Sequence, residues 1–277
     1  MKQIKVLDPG RWSKTVAPGA IVRRSFVALY IIAIIVSLLL LFLYLYKGGN
    51  IEGFTGGGEK KTAIIVEPRE HKALKFVLHN FLENLPDNWS IIIMHGNKNE
   101  RYVKDIIEND LDSFKERITT VNLFVNNLTL NEYNELLKSR KFYDNIPTEL
   151  FLIFQTDAVI CGENKGLIKD FEKYDYVGAP WKDAVGNGGL SLRRKSKMLE
   201  IIDKCPQKDE NEDVYFANPC VDIYKPSMEE AKLFSVEKIH SNISFGVHKA
   251  WSYLNDSELD DKIEHCKSLK ELIHLNQ

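Results

Sequence analysis

The chain has 277 residues, 44% of them hydrophobic and 27% charged, which suits a protein that packs a core and is incompatible with overall disorder. Its formal net charge is −2, and the globular part has no basic stripe interleaved with aromatic residues. The bulk electrostatic attraction on which nucleic-acid binding rests is therefore excluded.

Residues 1–25 carry mixed charge and two Pro-Gly pairs without sustained periodicity, and read as a cytoplasmic tail. Phe26 to Tyr46 is a run of 21 apolar or aromatic residues broken only by Ser37. Such a helix is long enough to cross a hydrocarbon core of about 30 Å. The apolar region of a cleaved signal is shorter, roughly 7 to 15 residues, and ends in small residues. This run ends instead in Leu43, Tyr44, Leu45 and Tyr46, interfacial aromatics that predict a retained transmembrane anchor over 26–46. Lys2, Lys5, Arg11, Lys14, Arg23 and Arg24 precede it, whereas Lys47, Lys60 and Lys61 are the nearest cations after it. That bias keeps the N-terminus in the cytoplasm, so the expectation is a single-pass type II membrane protein with its remainder lumenal or exterior. The glycine-rich residues 47–60 read as a flexible tether, and one domain is expected over 61–277.

Within that domain strand-like and helix-like segments alternate. Thr62–Glu67, Trp89–Met94, Ile118–Val125 and Leu150–Phe154 are apolar runs expected as strands. His71–Leu85, Arg101–Asn109 and Asn131–Arg140 are the helices expected between them. The alternation predicts an α/β fold, a mostly parallel sheet flanked by helices, followed by a half richer in strands and loops. Past Asp157 only Lys195–Cys205 and Glu229–Phe234 read clearly as helices. Ligands of open sheets bind beyond the carboxyl ends of the strands, which places Glu67, Pro68, Arg69, His95, Gly96 and Asp157 on one rim.

Several residues on or after that rim carry usable chemistry. Asp157 follows a buried-type strand, where a carboxylate is either a turn cap or a metal ligand. Gly186, Asn187, Gly188 and Gly189 precede Leu190–Arg194; glycines there permit close approach to a ligand or form a tight turn, and Asn187 adds a hydrogen-bonding side chain. The sequence lacks the Gly-Lys-Ser/Thr ending of a Walker loop. Glu212 and Asp213 form an acidic pair at a helix start, where the dipole alone would favour them, but one of the two is also placed to act as a general base. His248 is a candidate ligand for a manganese-like ion if a carboxylate lies nearby. Trp181 and Trp251 offer faces for stacking on a sugar or belong to the core. Arg69 suits a phosphate or a surface ion pair.

Cys161, Cys205, Cys220 and Cys266 contain no CxxC pair, which argues against a zinc knuckle. One or two disulfides are compatible with an exterior location, and three full pairings remain open. Asn88, Asn127, Asn242 and Asn255 head N-x-S/T sequons.

Taken in order, Asp157 after its strand, YDYVGAPW, GNGGLSLRR, NEDVYF and FGVHKAW resemble the GT-A class of nucleotide-sugar-dependent glycosyltransferases. VEPRE, QTDAVI, VGNGGLSLR and EDVYF resemble more narrowly a family of glycosyltransferase-like domains of unknown function found in algae, fungi and giant viruses. The resemblance spans about Lys61 to Tyr253. It implies a GT-A-like fold, a UDP- or GDP-sugar donor, a glycan, glycoprotein or glycolipid acceptor, and a divalent metal, Mn²⁺ with Mg²⁺ as the alternative. It also implies Asp157 and His248 as metal ligands, Gly188 and Gly189 as pocket glycines, and Asp213 or Glu212 as the base. The chain departs from the metal motif at Gln155, where that class carries the first Asp. Two rivals follow from this: a non-catalytic glycan- or nucleotide-sugar-binding domain on a membrane stalk, and a nucleotidyltransferase, which an exterior location would deprive of nucleoside triphosphates.

Overall fold

The computed structural model describes residues 59–277. The expected tail, anchor and most of the tether lie outside the described residues, and among the described residues no helix is long and apolar enough to cross a membrane.

The N-terminal half alternates strand and helix. It runs β1 (Lys61–Val66), α1 (Leu74–Asn84), β2 (Trp89–His95), α2 (Glu100–Asn109), β3 (Ile118–Asn122), α3 (Leu130–Leu137), α4 (Arg140–Asp144) and β4 (Leu150–Phe154). The C-terminal half has shorter pieces: β5 (Ala158–Ile160), α5 (Ile168–Phe171), β6 (Tyr176–Gly178), β7 (Leu190–Arg194), α6 (Lys195–Lys204) and α7 (Glu212–Ala217). It closes with α8 (Met228–Phe234), β8 (Ser235–Val236), β9 (Gly246–His248), α9 (Asp256–His265) and α10 (Ser268–Asn276).

Six strands form the central sheet in the order β3-β2-β1-β4-β7-β6, and β5-β9-β8 form a second sheet. β1, β2, β3 and β4 pair in parallel, but β7 runs antiparallel to both β4 and β6. The sheet is thus mostly parallel, with β7 alone running against its neighbours because the glycine loop joins it to β6 without a crossover helix. Helices cover both faces. Along β1, Ala63 and Ile65 enter one core with α1, while Ile64 and Val66 enter the other with α4, α6 and α7. β1, β2 and β4 are buried on both sides, which is why each reads as a continuous apolar run, whereas the edge strand β3 is part-exposed. Phe81 of α1 stacks on Phe154 of β4 with ring centroids 3.9 Å apart, fixing the carboxyl end of β4 against the first core. Burial of a ring that size stabilises by roughly 1.5–3 kcal/mol.

Three expectations are adjusted. β3 ends at Asn122 rather than Val125, because Asn122 Oδ1 accepts the Phe124 N–H at 2.7 Å and Phe124 turns the chain at φ 58°. The single helix expected over Asn131–Arg140 is two, since Ser139 takes an extended conformation and caps α4. Helices α5, α7, α9 and α10 add to the two expected after Asp157. The open cysteine pairing resolves as Cys161–Cys266 and Cys205–Cys220.

Candidate active site

A cleft of about 360 Å³ opens beyond the carboxyl ends of β1 and β4. Strand register explains which side chains meet there. Phe154 at the end of β4 faces Leu190 at the start of β7, so the loop Gly186–Gly189 lies beside Gln155–Asp157. In the second sheet Ala158 pairs with His248, and the Lys249 N–H donates to the Asp157 carbonyl at 2.9 Å, which brings Asp157 against His248.

The two side chains approach closely, with His248 Nε2 3.2 Å from Asp157 Oδ1. Gln155 Oε1 lies 3.3 Å from the same nitrogen, and Gln155 donates to the Tyr133 hydroxyl at 3.1 Å. Asp157 Oδ1 is buried and, among the described residues, has no directed hydrogen-bond partner. Burial opposes the charge of Asp157, but His248 outweighs it and holds the carboxyl below its ordinary range. Burial likewise disfavours an imidazolium, yet Asp157 and Glu237 on either side raise His248 to about 9.

Among the described residues no group of three or more His, Cys, Asp or Glu side chains could hold a metal ion. Asp157 Oδ1 and Gln155 Oε1, 3.2 and 3.3 Å from His248 Nε2, are nevertheless the atoms that, with that nitrogen, would hold a divalent ion. Two ligand atoms about 2.1 Å from such an ion and at right angles stand about 3.0 Å apart, close to the spacing of His248 Nε2 from the two oxygens. A buried carboxylate oxygen met only by one imidazole nitrogen, without a directed hydrogen bond, is the sort of atom such an ion would satisfy. With two charged or imidazole donors and one amide, the remaining positions would be left to ligand and water.

The opposite wall is the acidic pair. Glu212 is committed to Arg193 by a buried bidentate ion pair at 2.6 and 3.0 Å. Asp213 accepts from the Val214 N–H at 2.8 Å and the Gly188 N–H at 3.4 Å, and its side chain lines the cleft. Burial, reinforced by the Glu212 charge, lifts the Asp213 carboxyl to about 6. Of the two acids it is therefore Asp213 that is placed to exchange a proton near neutrality, while Glu212 is spent on Arg193.

The glycine loop joins the two walls. A Cβ on Gly188 would collide with Glu212 Oε1 and lie 2.9 Å from Asp213 Cβ, and one on Gly189 would overlap the His248 ring. Asn187 is buried; its Oδ1 accepts the Gly189 N–H at 3.1 Å and its Nδ2 donates to Glu237 at 2.7 Å. Arg69 reaches the rim, but its Nε and Nη2 are occupied by Glu67 at 2.8 Å each. Trp181 is a departure from expectation: it lies outside the cleft, against Gly186 in the turn closed by its N–H to the Ala184 carbonyl.

Four residues of the site were not expected from sequence. Tyr133 lines the cleft and holds Gln155, Arg193 neutralises Glu212, and Glu237 stands behind His248. Asn134 of α3 accepts the Glu212 N–H at 2.9 Å, capping α7 from a distant segment. Only the placement of Arg193, two residues along β7 from Ser191, follows from a readable strand period.

Residues 117–248 match the family model DUF5672, described as a protein of unknown function. That stretch carries every site residue above except Glu67 and Arg69. No curated protein matches the chain in sequence. Among solved structures, the chain is similar to the mannosyltransferase PcManGT of Pyrobaculum calidifontis in complex with GDP-Man and Mn²⁺, at 15% identity and TM-score 0.41, covering 68% of this chain and 61% of that one. It is also similar to the apo-form glycosyltransferase GlyE of Streptococcus pneumoniae, at 9% identity and TM-score 0.46, covering 78% and 64%. A third is the galactosyltransferase LgtC in complex with donor and acceptor sugar analogues, at 8% identity and TM-score 0.48, covering 78% and 95%. The chain thus spans less than two thirds of the length of the first two, and scores below 0.5 leave all three as likenesses that carry no argument.

Proposed function

We propose that the protein is a GT-A-like, metal-assisted glycosyltransferase that moves a sugar from a UDP- or GDP-sugar to a hydroxyl of a glycan, glycoprotein or glycolipid. The observation that carries the reading is the pairing of two unlike walls in one cleft: a donor trio of Asp157, Gln155 and His248 facing an Asp213 carboxyl lifted to about 6. The motif resemblance points the same way.

In this reading Asp157, Gln155 and His248 would hold a divalent ion, Mn²⁺ or Mg²⁺. Such an ion, when bound, neutralises the charge that develops on a leaving diphosphate. Gly188 and Gly189 let Glu212, Asp213 and the His248 ring close on the loop that lines the cleft, and the outer edge of Arg69 adds positive charge at the rim. Asp213 takes the proton from the acceptor hydroxyl as that oxygen attacks the anomeric carbon. The bond from that carbon to the diphosphate oxygen breaks, and the nucleoside diphosphate leaves with the electron pair. A carboxyl lifted to about 6 is largely ionised at pH 7 yet more basic than an ordinary Asp, as a base near neutrality needs to be.

Residues 26–46 would anchor this domain in a type II arrangement, with the cleft lumenal or exterior. Two disulfides fit an oxidising compartment, and nucleotide sugars rather than nucleoside triphosphates suit such a location. The second reading, a domain that binds a nucleotide sugar without turnover, draws on Gln155: the amide leaves the trio with one carboxylate.

Titration of the full-length chain in detergent with UDP and GDP, in Mn²⁺ and in EDTA, tests the proposal. Metal-dependent binding of one nucleotide, weakened by Asp157→Ala, is expected. Equal binding with and without metal would refute the role given to the trio.

A further inference from the structure

Glu237 is a buried carboxylate that the proposed reaction leaves without a task. It follows β8, whose parallel register on β9 sets Ser235 against Gly246 and Val236 against Val247, so the next residue falls beside His248. Its side chain is 5% exposed, and Oε1 lies 3.3 Å from His248 Nδ1, an ion-pair distance at which Nδ1, itself buried, has no directed hydrogen bond. The same oxygen accepts from Asn187 Nδ2 at 2.7 Å. Asn187 in turn accepts the N–H of Gly189, the residue whose missing Cβ leaves room for the His248 ring. Glu237, Asn187, Gly189 and His248 therefore close a ring of contacts joining the metal-facing imidazole to the glycine loop. The other oxygen, Oε2, is buried and has no hydrogen-bond partner among the described residues. Burying a carboxylate so sparsely bonded is costly, and packing alone would be served by a neutral side chain.

We propose that Glu237 is the positioning residue of this site, fixing Nδ1 of His248 as the protonated nitrogen and the glycine loop through Asn187. An imidazole ligates through the nitrogen that carries no proton, and its partner on the other nitrogen decides which that is. With Glu237 beside Nδ1, Nε2, which faces Asp157 and Gln155, is the nitrogen that would give up its proton to an incoming ion. A glutamine in place of Glu237 would keep an acceptor for Asn187 but could equally donate to Nδ1, removing that bias. The inference rests on the metal reading of the trio.

The test is a titration of Mn²⁺ into the full-length chain in detergent, followed by the electron paramagnetic resonance of the free ion, with thermal unfolding by circular dichroism as the check on folding. Glu237→Gln is expected to melt as a folded protein and to bind Mn²⁺ about 10- to 100-fold more weakly. In a His248→Ala background the same change is expected to add no further loss, because Glu237 acts through that ring. If Glu237→Gln does not fold, Glu237→Asp, which withdraws the carboxylate by one methylene, is expected to show the weakened binding. Unaltered Mn²⁺ affinity in the folded variant, or a loss that adds fully to that of His248→Ala, would overturn the inference while leaving the metal reading in place. Failure of the unsubstituted protein to bind Mn²⁺ would overturn both.

Discussion

Arg193 and Glu212 meet beneath Gly188 in a bidentate ion pair, with the guanidinium fully buried and the carboxylate nearly so. The guanidinium also lies over the rings of Tyr176 and Phe216, 5.0 and 5.5 Å from their centroids. Breaking such a pair from one side leaves an uncompensated buried charge, at about 3–5 kcal/mol. Glu212→Gln is therefore expected to lower the unfolding free energy by about that amount, read by denaturant titration. A loss under about 1 kcal/mol would show the pair to be hydrated.

Asp213 gives a pH dependence of both activity and stability. As the base it must be ionised, so turnover is expected to rise with pH through an inflection near 6. The sign for stability is opposite. A carboxyl with a folded pKa above its unfolded value near 3.9 binds its proton more tightly in the folded state, so folding is penalised increasingly as pH rises from about 4 to 6. Asp213→Asn should therefore abolish turnover while stabilising the fold at pH 7.5 by about 3 kcal/mol, a difference that fades below pH 4. Melting curves at pH 4 and 7.5 check this; equal shifts at both would show that the carboxyl is not lifted.

Gly189→Ala puts a methyl group into the His248 ring. Displacing that ring disturbs the trio before it disturbs the sheet. The variant is expected to lose Mn²⁺-dependent nucleotide binding at least 10-fold. Trp181→Ala, outside the cleft, should leave nucleotide binding unchanged and cost only stability. Calorimetric titration distinguishes the two.

The disulfides bear on different parts of the molecule. Cys161–Cys266 spans a sequence separation of 105 and ties the C-terminal helices to β5, whereas Cys205–Cys220 spans 15 and encloses the segment that carries Glu212 and Asp213. By loop entropy alone their removal costs about 4.7 and about 3 kcal/mol. Paired Cys→Ala substitutions should therefore lower the melting temperature more for the first pair. Loss of the second should depress turnover beyond its effect on stability, because it loosens α7.

The legible part of this fold was the part whose physics is local. β1, β2 and β4 are buried on both faces and read directly from their apolar runs, and Asp157, the glycine loop, Asp213 and His248 were recognisable by residue type and order. What joins them was not. β8 and β9 span only two and three residues, too short for any periodicity, yet their register puts Glu237 beside His248. Asn134 caps α7 across 78 residues, and Arg193 sits in a strand where its charge reads as surface until Glu212 is seen opposite. The cysteine pairing likewise depends on tertiary approach, with Cα atoms 4.8 and 5.5 Å apart. Trp181 was misplaced because an aromatic residue beside a glycine loop looks the same whether it faces the ligand or braces the turn.

The most direct test of the central claim is nucleoside-diphosphate release by the full-length chain across UDP- and GDP-sugars with candidate acceptors, in Mn²⁺ and in EDTA, beside Asp157→Ala and Asp213→Asn. The account predicts turnover of one donor that requires the metal and falls at least 100-fold in each variant. Release that persists in EDTA, or in folded Asp213→Asn, would contradict it. Binding of a donor without release by the unsubstituted protein would favour the non-catalytic reading.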